Sequence, residues 1–201
     1  MSKTSDTKQR LIETTRRLIQ ERAAFTIKDI AQAAYVNVAA VNYYFGDKNQ
    51  LIETVVQGIL QDFKQSLFTA IRTIPLGQAP ATTLAGMIDL LYQFALENIG
   101  VINYLFLDFD TEKKSSTLLL HEFLEDEEFT TLVLSMLQIQ SGIDDQATLY
   151  ARYMLIFSSF CIPLFIEIMR HVNPDTPLKA ASLRDNAFRE RYITELLRII
   201  G

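Results

Sequence analysis

The segment TIKDIAQAAYVNVAAVNYYFGDK, residues Thr26 to Lys48, decides how this chain is read. Thr26 offers a hydroxyl to the free amides of a helix start, and Asp29 three residues on completes a capping box. A helix is therefore expected from Ile27, with Ile27, Ile30, Ala31 and Ala34 inward. Tyr35-Val36 interrupts it. Asn37 is a strong N-cap for a further short helix to about Tyr44, and Val36 before the cap can pack on Val41. Phe45-Gly46 closes that helix, and Asp47-Lys48-Asn49-Gln50 caps another. Two short helices joined by a tight turn form the unit that presents its second helix to the major groove of DNA.

Outward from this segment the periodicity is helical throughout. Leu11, Ile12, Thr15, Leu18 and Ile19 recur at three- and four-residue spacing, which predicts an amphipathic helix from Lys8 to Arg22, with a break at Ala23-Ala24-Phe25. After the segment, Ile52, Val56, Ile59, Phe63, Leu67 and Ile71 mark a long helix, ended by Pro75, Gly77 and Pro80. Leu84, Met87, Ile88, Leu91 and Ala95 mark the next, with Gly100 expected to separate it from a short helical segment beyond. Two or three shorter helices are expected over residues 101–141. A long apolar helix is expected from Gln146 to Val172, kinked at Pro163, and a last one after a Ser182/Asp185 capping box. The fold class is all-α: a three-helix helix-turn-helix head over residues 1–46 and a helical body over residues 47–201.

Composition narrows the function. The chain has 201 residues, of which 49% are hydrophobic, with 7 Gly and 5 Pro, enough for a packed helical core. Net charge is −5, but residues 1–50 hold eight Lys or Arg against five Asp or Glu, so any phosphate-facing surface is expected there. The single Cys161 and the polar N-terminus suit a reducing cytoplasm. The apolar run from Tyr153 to Ile166 falls short of the roughly 20 residues that span a bilayer, so no membrane partner is expected.

Two His, one Cys and no Gly-rich phosphate loop leave no nucleophile with a base, so the chain is not expected to be an enzyme. No cofactor and no metal is expected. His121-Glu122 with Glu125-Asp126-Glu127-Glu128 could be taken for ligands, but consecutive Glu residues point in different directions, and a solvated acidic surface is the expected reading. His171 and Cys161 are expected to be core or helix-end residues.

In the short helix after Asn37, Val41 and Phe45 face inward, leaving small and polar groups outward. Ala39 and Ala40 permit close approach to base edges, and Asn42 can pair bidentately with adenine. The hydroxyls of Tyr43, Tyr44 and Thr26 and the ammonium of Lys48 are suitable phosphate donors. Taken singly, the tyrosines read equally as aromatics bracing one helix on the next, and Asn42 as a surface residue. Taken together, the group favours double-stranded DNA; a helical adaptor that binds protein is the competing reading.

The Thr26–Ala31 and Val36–Lys48 stretches resemble the tetracycline-repressor, or TetR-like, family over roughly residues 8–56. The resemblance implies phosphate contacts at Thr26 and Lys48 and DNA-facing positions at Asn37, Ala39, Asn42, Tyr43 and Tyr44. Where the family usually has a turn glycine, this chain has Tyr35. The resemblance also implies a homodimer built by the last two long helices, a roughly palindromic operator, and a small-molecule effector held between the middle helices. Leu149, Tyr153, Ile156, Phe160 and Ile168, with Phe188, Tyr192, Leu196 and Ile199, are the apolar positions expected to serve the dimer, the alternative being that these faces are consumed inside one subunit. Phe94, Tyr104, Phe106, Phe109, Phe123 and Phe157 could line an effector cavity or simply fill the core, and sequence alone leaves the effector-binding residues unknown.

Overall fold

Apolar spacing of three and four residues builds the first helix, α1 (Lys3–Glu21), which starts earlier than expected and buries Leu11, Thr15, Leu18 and Ile19. This computed structural model describes residues 3–22, 25–72, 80–107, 115–175 and 179–200, and every regular element among them is helical. The expected break at Ala23-Ala24 and the loop at Pro75 and Gly77 lie outside the described residues. So does Phe109.

Local chemistry sets the next two helices as read. For α2 (Ile27–Ala33), Thr26 Oγ1 accepts from the Asp29 N–H at 3.2 Å and the Thr26 N–H donates to Asp29 Oδ2 at 2.6 Å. For α3 (Val38–Phe45), Asn37 Oδ1 accepts from the Ala39 N–H at 3.0 Å. Between them the Tyr35 N–H donates to Gln32 O and the Val36 N–H to Ala31 O, the paired bonds of a Schellman ending. That ending demands a left-handed residue, and Tyr35 supplies it with φ 55°. A side chain in that region costs about 1–2 kcal/mol.

The long helix α4 (Lys48–Arg72) packs on α1 and α3 as well as on α5 (Pro80–Glu97). At 25 residues it is roughly 37 Å long, enough to run from the head through the body. Its expected stripe is buried from Ile52 to Leu67, and Ile71 is half-buried.

The helix α6 (Ile99–Leu107) corrects the expectation for Gly100. The break falls at Asn98, and Gly100 sits inside α6, where it meets the end of α1. A β-carbon there would stand 1.8 Å from the carbonyl oxygen of Ile19. Beside it Gln20 Nε2 donates to Asn98 Oδ1 at 2.7 Å. The glycine serves a close approach of two helices distant in sequence, which no local signal reveals.

The rest of the body comprises α7 (Ser115–Leu120), a π-helical turn at His121–Glu125, α8 (Glu127–Ser141), α9 (Gln146–Ser159), α10 (Cys161–Val172) and α11 (Asn186–Ile200). The expected single helix from Gln146 to Val172 is divided at Phe160. Pro163 has no N–H to donate to Ser159 O four residues back. That carbonyl accepts instead from the hydroxyls of Tyr92 on α5 at 3.2 Å and Tyr192 on α11 at 2.9 Å. The proline thus creates the acceptor that ties three helices together.

The expected Ser182/Asp185 box does not form. Asp185 alone caps α11, accepting from the Ala187 N–H at 2.9 Å, while Ser182 Oγ donates to Glu167 Oε1 at 2.8 Å. Glu167, 1% exposed on α10, is also met by Arg170 and by Arg184 at 3.2 Å. A buried carboxylate needs such partners, and they outcompete the local cap.

The positions expected to serve a dimer also need correction. Leu149, Tyr153, Ile156 and Ile168 are buried within the chain's own core. The exposed apolar residues Tyr150 and Met154 lie one residue beyond Leu149 and Tyr153, some 100° around the helix, and Ile162, Phe165 and Val172 are exposed on α10.

Candidate nucleic-acid interface

The two faces of α3 differ as its sequence requires. Val41 and Phe45 are buried, whereas Ala39, Asn42 and Tyr43 are exposed, Tyr43 at 79%. Asn37 is exposed at the helix start with its carbonyl oxygen engaged in the cap. Tyr44 is half-buried against the core and meets the Tyr43 ring edge-on, centroids 5.0 Å apart. The bracing role therefore falls to Tyr44, and Tyr43 stands clear of it.

Thr26 and Lys48 flank this face. The Thr26 hydroxyl donates to Asp29 Oδ2 at 2.7 Å, and that bond leads the causes holding the Asp29 carboxyl below its ordinary range. To donate to a phosphate the hydroxyl has to turn from Asp29. The Lys48 ammonium donates to Phe25 O at 2.6 Å and lies 5.0 Å from the Phe25 ring centre. It has three protons, so this bond leaves donors for a second acceptor.

Tyr35, which stands where the resembled family has a glycine, is 91% exposed at the turn before α3 and takes the positive φ that the glycine would have supplied.

Behind the head, in the body, the side chains line an apolar cavity of about 80 Å³. Of the aromatics considered for a lining, Phe94, Phe106, Phe123 and Phe157 reach it, and Tyr104 does not. Leu60 of α4 forms part of the same wall.

The acidic cluster corrects another expectation in part: His121, Glu125, Glu127 and Glu128 are exposed as expected, but two members are not. Glu122 is buried and Asp126 half-buried, so neither belongs to a solvated face. Both hold the Lys64 ammonium of α4, at 3.0 and 2.7 Å. Burial pulls the Lys64 pKa down, but the hydrogen bonds to Asp126 and Glu122 outweigh it and keep the group above its ordinary range. Asp126 also caps α8 through the Phe129 N–H at 2.8 Å. Among the described residues no group of three or more His, Cys, Asp or Glu could hold a metal ion.

A helix-turn-helix head is the motif that lays its second helix in the major groove of DNA. Residues 11–55 match the family model of bacterial regulatory proteins, tetR family. The whole fold is shared with a Mesorhizobium loti protein described as a TetR-family transcriptional regulator, at TM-score 0.65 and 14% identity over 100% of this chain and 97% of that one. It is also shared with RolR in complex with resorcinol, at TM-score 0.59 and 18% identity over 99% and 89% of the two chains. A Clostridium perfringens protein described as a fatty acid metabolism regulator is similar at TM-score 0.59 and 15% identity, over 95% and 96%. At these identities the structural likeness speaks for the fold, and no curated protein matches the chain significantly in sequence. The chain thus carries an N-terminal segment similar to the tetR-family regulatory proteins and shares its whole fold with solved TetR-family structures.

Proposed function

We propose that the chain is a cytoplasmic repressor that grips a roughly palindromic operator as a homodimer and lets go when a small effector occupies the body. The observation that carries this reading is the outward face of α3, small at Ala39, polar at Asn42 and aromatic at Tyr43, mounted against a helix whose Leu60 forms part of the cavity wall. In this reading Ala39 and Asn42 meet base edges. Asn37, Tyr43, Tyr44, Thr26 and Lys48 position the head on phosphates. The division into a head of residues 1–46 and a body of residues 47–201 is functional, since α4 links the two.

The dimer is assigned to the exposed apolar face of α9 and α10 together with the outer edge of α11, where Ile199 is 78% exposed. The stretch Gln146–Val172 is long and apolar enough to cross a membrane by length and composition, contrary to the expectation drawn from its central run alone, and only 22% of its apolar window is buried. A second copy accounts for that exposure better than a bilayer does. The same stretch buries Glu167 among Arg170, Arg184 and Ser182, a charged cluster that belongs inside a protein.

Capture of genomic fragments by the full-length protein, followed by footprinting, tests the proposal. The expected result is two protected half-sites about one or two helical turns apart, with affinity falling steeply as salt rises. Retention of all fragments equally, at a level set by salt alone, would contradict it.

A further inference from the structure

We infer that the body cavity takes an uncharged, apolar ligand, and that its entry is signalled to α4 through the Lys64 ion pairs with Glu122 and Asp126. The inference rests on the proposed effector-released regulator and deepens it.

The chemistry of the wall excludes a charged guest. Among the described lining residues the sole polar side-chain group is the Tyr153 hydroxyl, which donates to Phe123 O. The buried polar atoms without a partner, on Thr15, Gln140, Arg152 and His171, belong to residues that do not line the cavity. The nearby ammonium of Lys64 is already held by two carboxylates. A buried carboxylate or ammonium on a ligand would lose its water and find no counter-charge, a loss no apolar contact offsets.

The size of the cavity requires the wall to move. About 80 Å³ is well below the few hundred Å³ of an ordinary ligand site. Phe123 lies in the π-helical turn after the six-residue α7, a geometry rare in proteins and frequent at functional sites, whereas most of the wall stands on longer helices. The residue next to Phe123 is Glu122, bonded to Lys64 at 3.0 Å. The Phe123 ring also meets Phe129 edge-on at 5.3 Å, and Phe129 meets Phe68 of α4 edge-on at 6.4 Å.

Leu60, Lys64 and Phe68 are spaced four apart, so successive turns of one α4 face carry a piece of wall, an ion pair and a ring. Displacing the π turn acts on all three. Lys64 is the positioning residue of this relay, since it ties the turn to the helix that bears the head.

The test uses full-length protein, a captured operator duplex, and 1-octanol and toluene as uncharged probes, with octanoate at neutral pH as the charged counterpart. Calorimetry is expected to show an uncharged probe binding at least tenfold more tightly than octanoate and lowering operator affinity at least tenfold. In the double variant Lys64→Met/Glu122→Gln, which removes both charges at similar volume, the probe is expected to bind within threefold of wild type while operator affinity shifts less than threefold. Should that variant fail to show the wild-type helical spectrum, Lys64→Gln is used in its place, with the same expectation.

Octanoate binding as tightly as octanol, or no uncharged probe binding at all, overturns the ligand class. A full operator response in the variant overturns the relay. Probe binding that leaves wild-type operator affinity unchanged overturns effector release and the relay with it, and leaves the ligand class standing.

Discussion

The chain exposes two faces that differ in kind. On α3 the outward residues are Ala39, Asn42 and Tyr43, a small, polar and amphipathic group opposite the buried Val41 and Phe45. On α9 and α10 the outward residues are Tyr150, Met154, Leu155, Ile162, Phe165 and Val172, apolar over both helices. A monomer rarely shows water so large an apolar stripe, while a polar surface helix is ordinary. The apolar face therefore calls for cover by physics alone, whereas the polar face is singled out only by its setting on a helix-turn-helix. Changing each face in turn separates the two roles.

The largest effect is expected at the apolar face. Ile162→Arg places a charge at a position 68% exposed in the single chain but desolvated twice over in a two-fold dimer. Analytical ultracentrifugation is expected to show dimer association weakened about a thousandfold, at roughly 2 kcal/mol for each buried charge. A variant as dimeric as wild type would move the interface elsewhere.

Next comes the joint between head and body. Gly100→Ala forces α6 away from the Ile19 carbonyl and is expected to cost about 2–3 kcal/mol in urea unfolding. Gly58→Ala on α4, where nothing stands within 4 Å of the added carbon, is the control and is expected to stabilise by up to about 1 kcal/mol. Equal effects at the two glycines would contradict a tight joint at Gly100.

At the polar face, Tyr43→Ala is expected to leave the melting temperature unchanged, since the ring is largely in solvent, and to weaken operator binding about tenfold, or about 1.4 kcal/mol over two heads. Fluorescence anisotropy checks the affinity. The smallest effect is expected at Tyr35→Gly, measured by urea unfolding. Relief of the left-handed φ, less the entropy that glycine adds to the unfolded chain, gives a gain of about 0.5–1 kcal/mol.

The range of each interaction decides whether it could be read in advance. The caps at Thr26, Asn37 and Asp47 act over two or three residues, so α2, α3 and the start of α4 appear where the sequence places them. Gly100, Ser182 and Lys64 take their roles from Ile19, Glu167 and Glu122, partners distant in sequence, and a local reading assigns them wrongly or passes over them. The segment from Gln146 to Val172 is apolar on most sides, so its pattern could not say which stripe turns inward. Packing against α5, α8 and α11 decides that.

The central claim is that α3 touches base edges, once from each half of a symmetric pair. Selection of duplexes from a random library by wild type and by Asn42→Ala tests it most directly. Wild type is expected to enrich an inverted repeat, and the variant to keep the repeat while losing preference at one position in each half. An enriched site without symmetry, or one unchanged by the substitution, would contradict the claim.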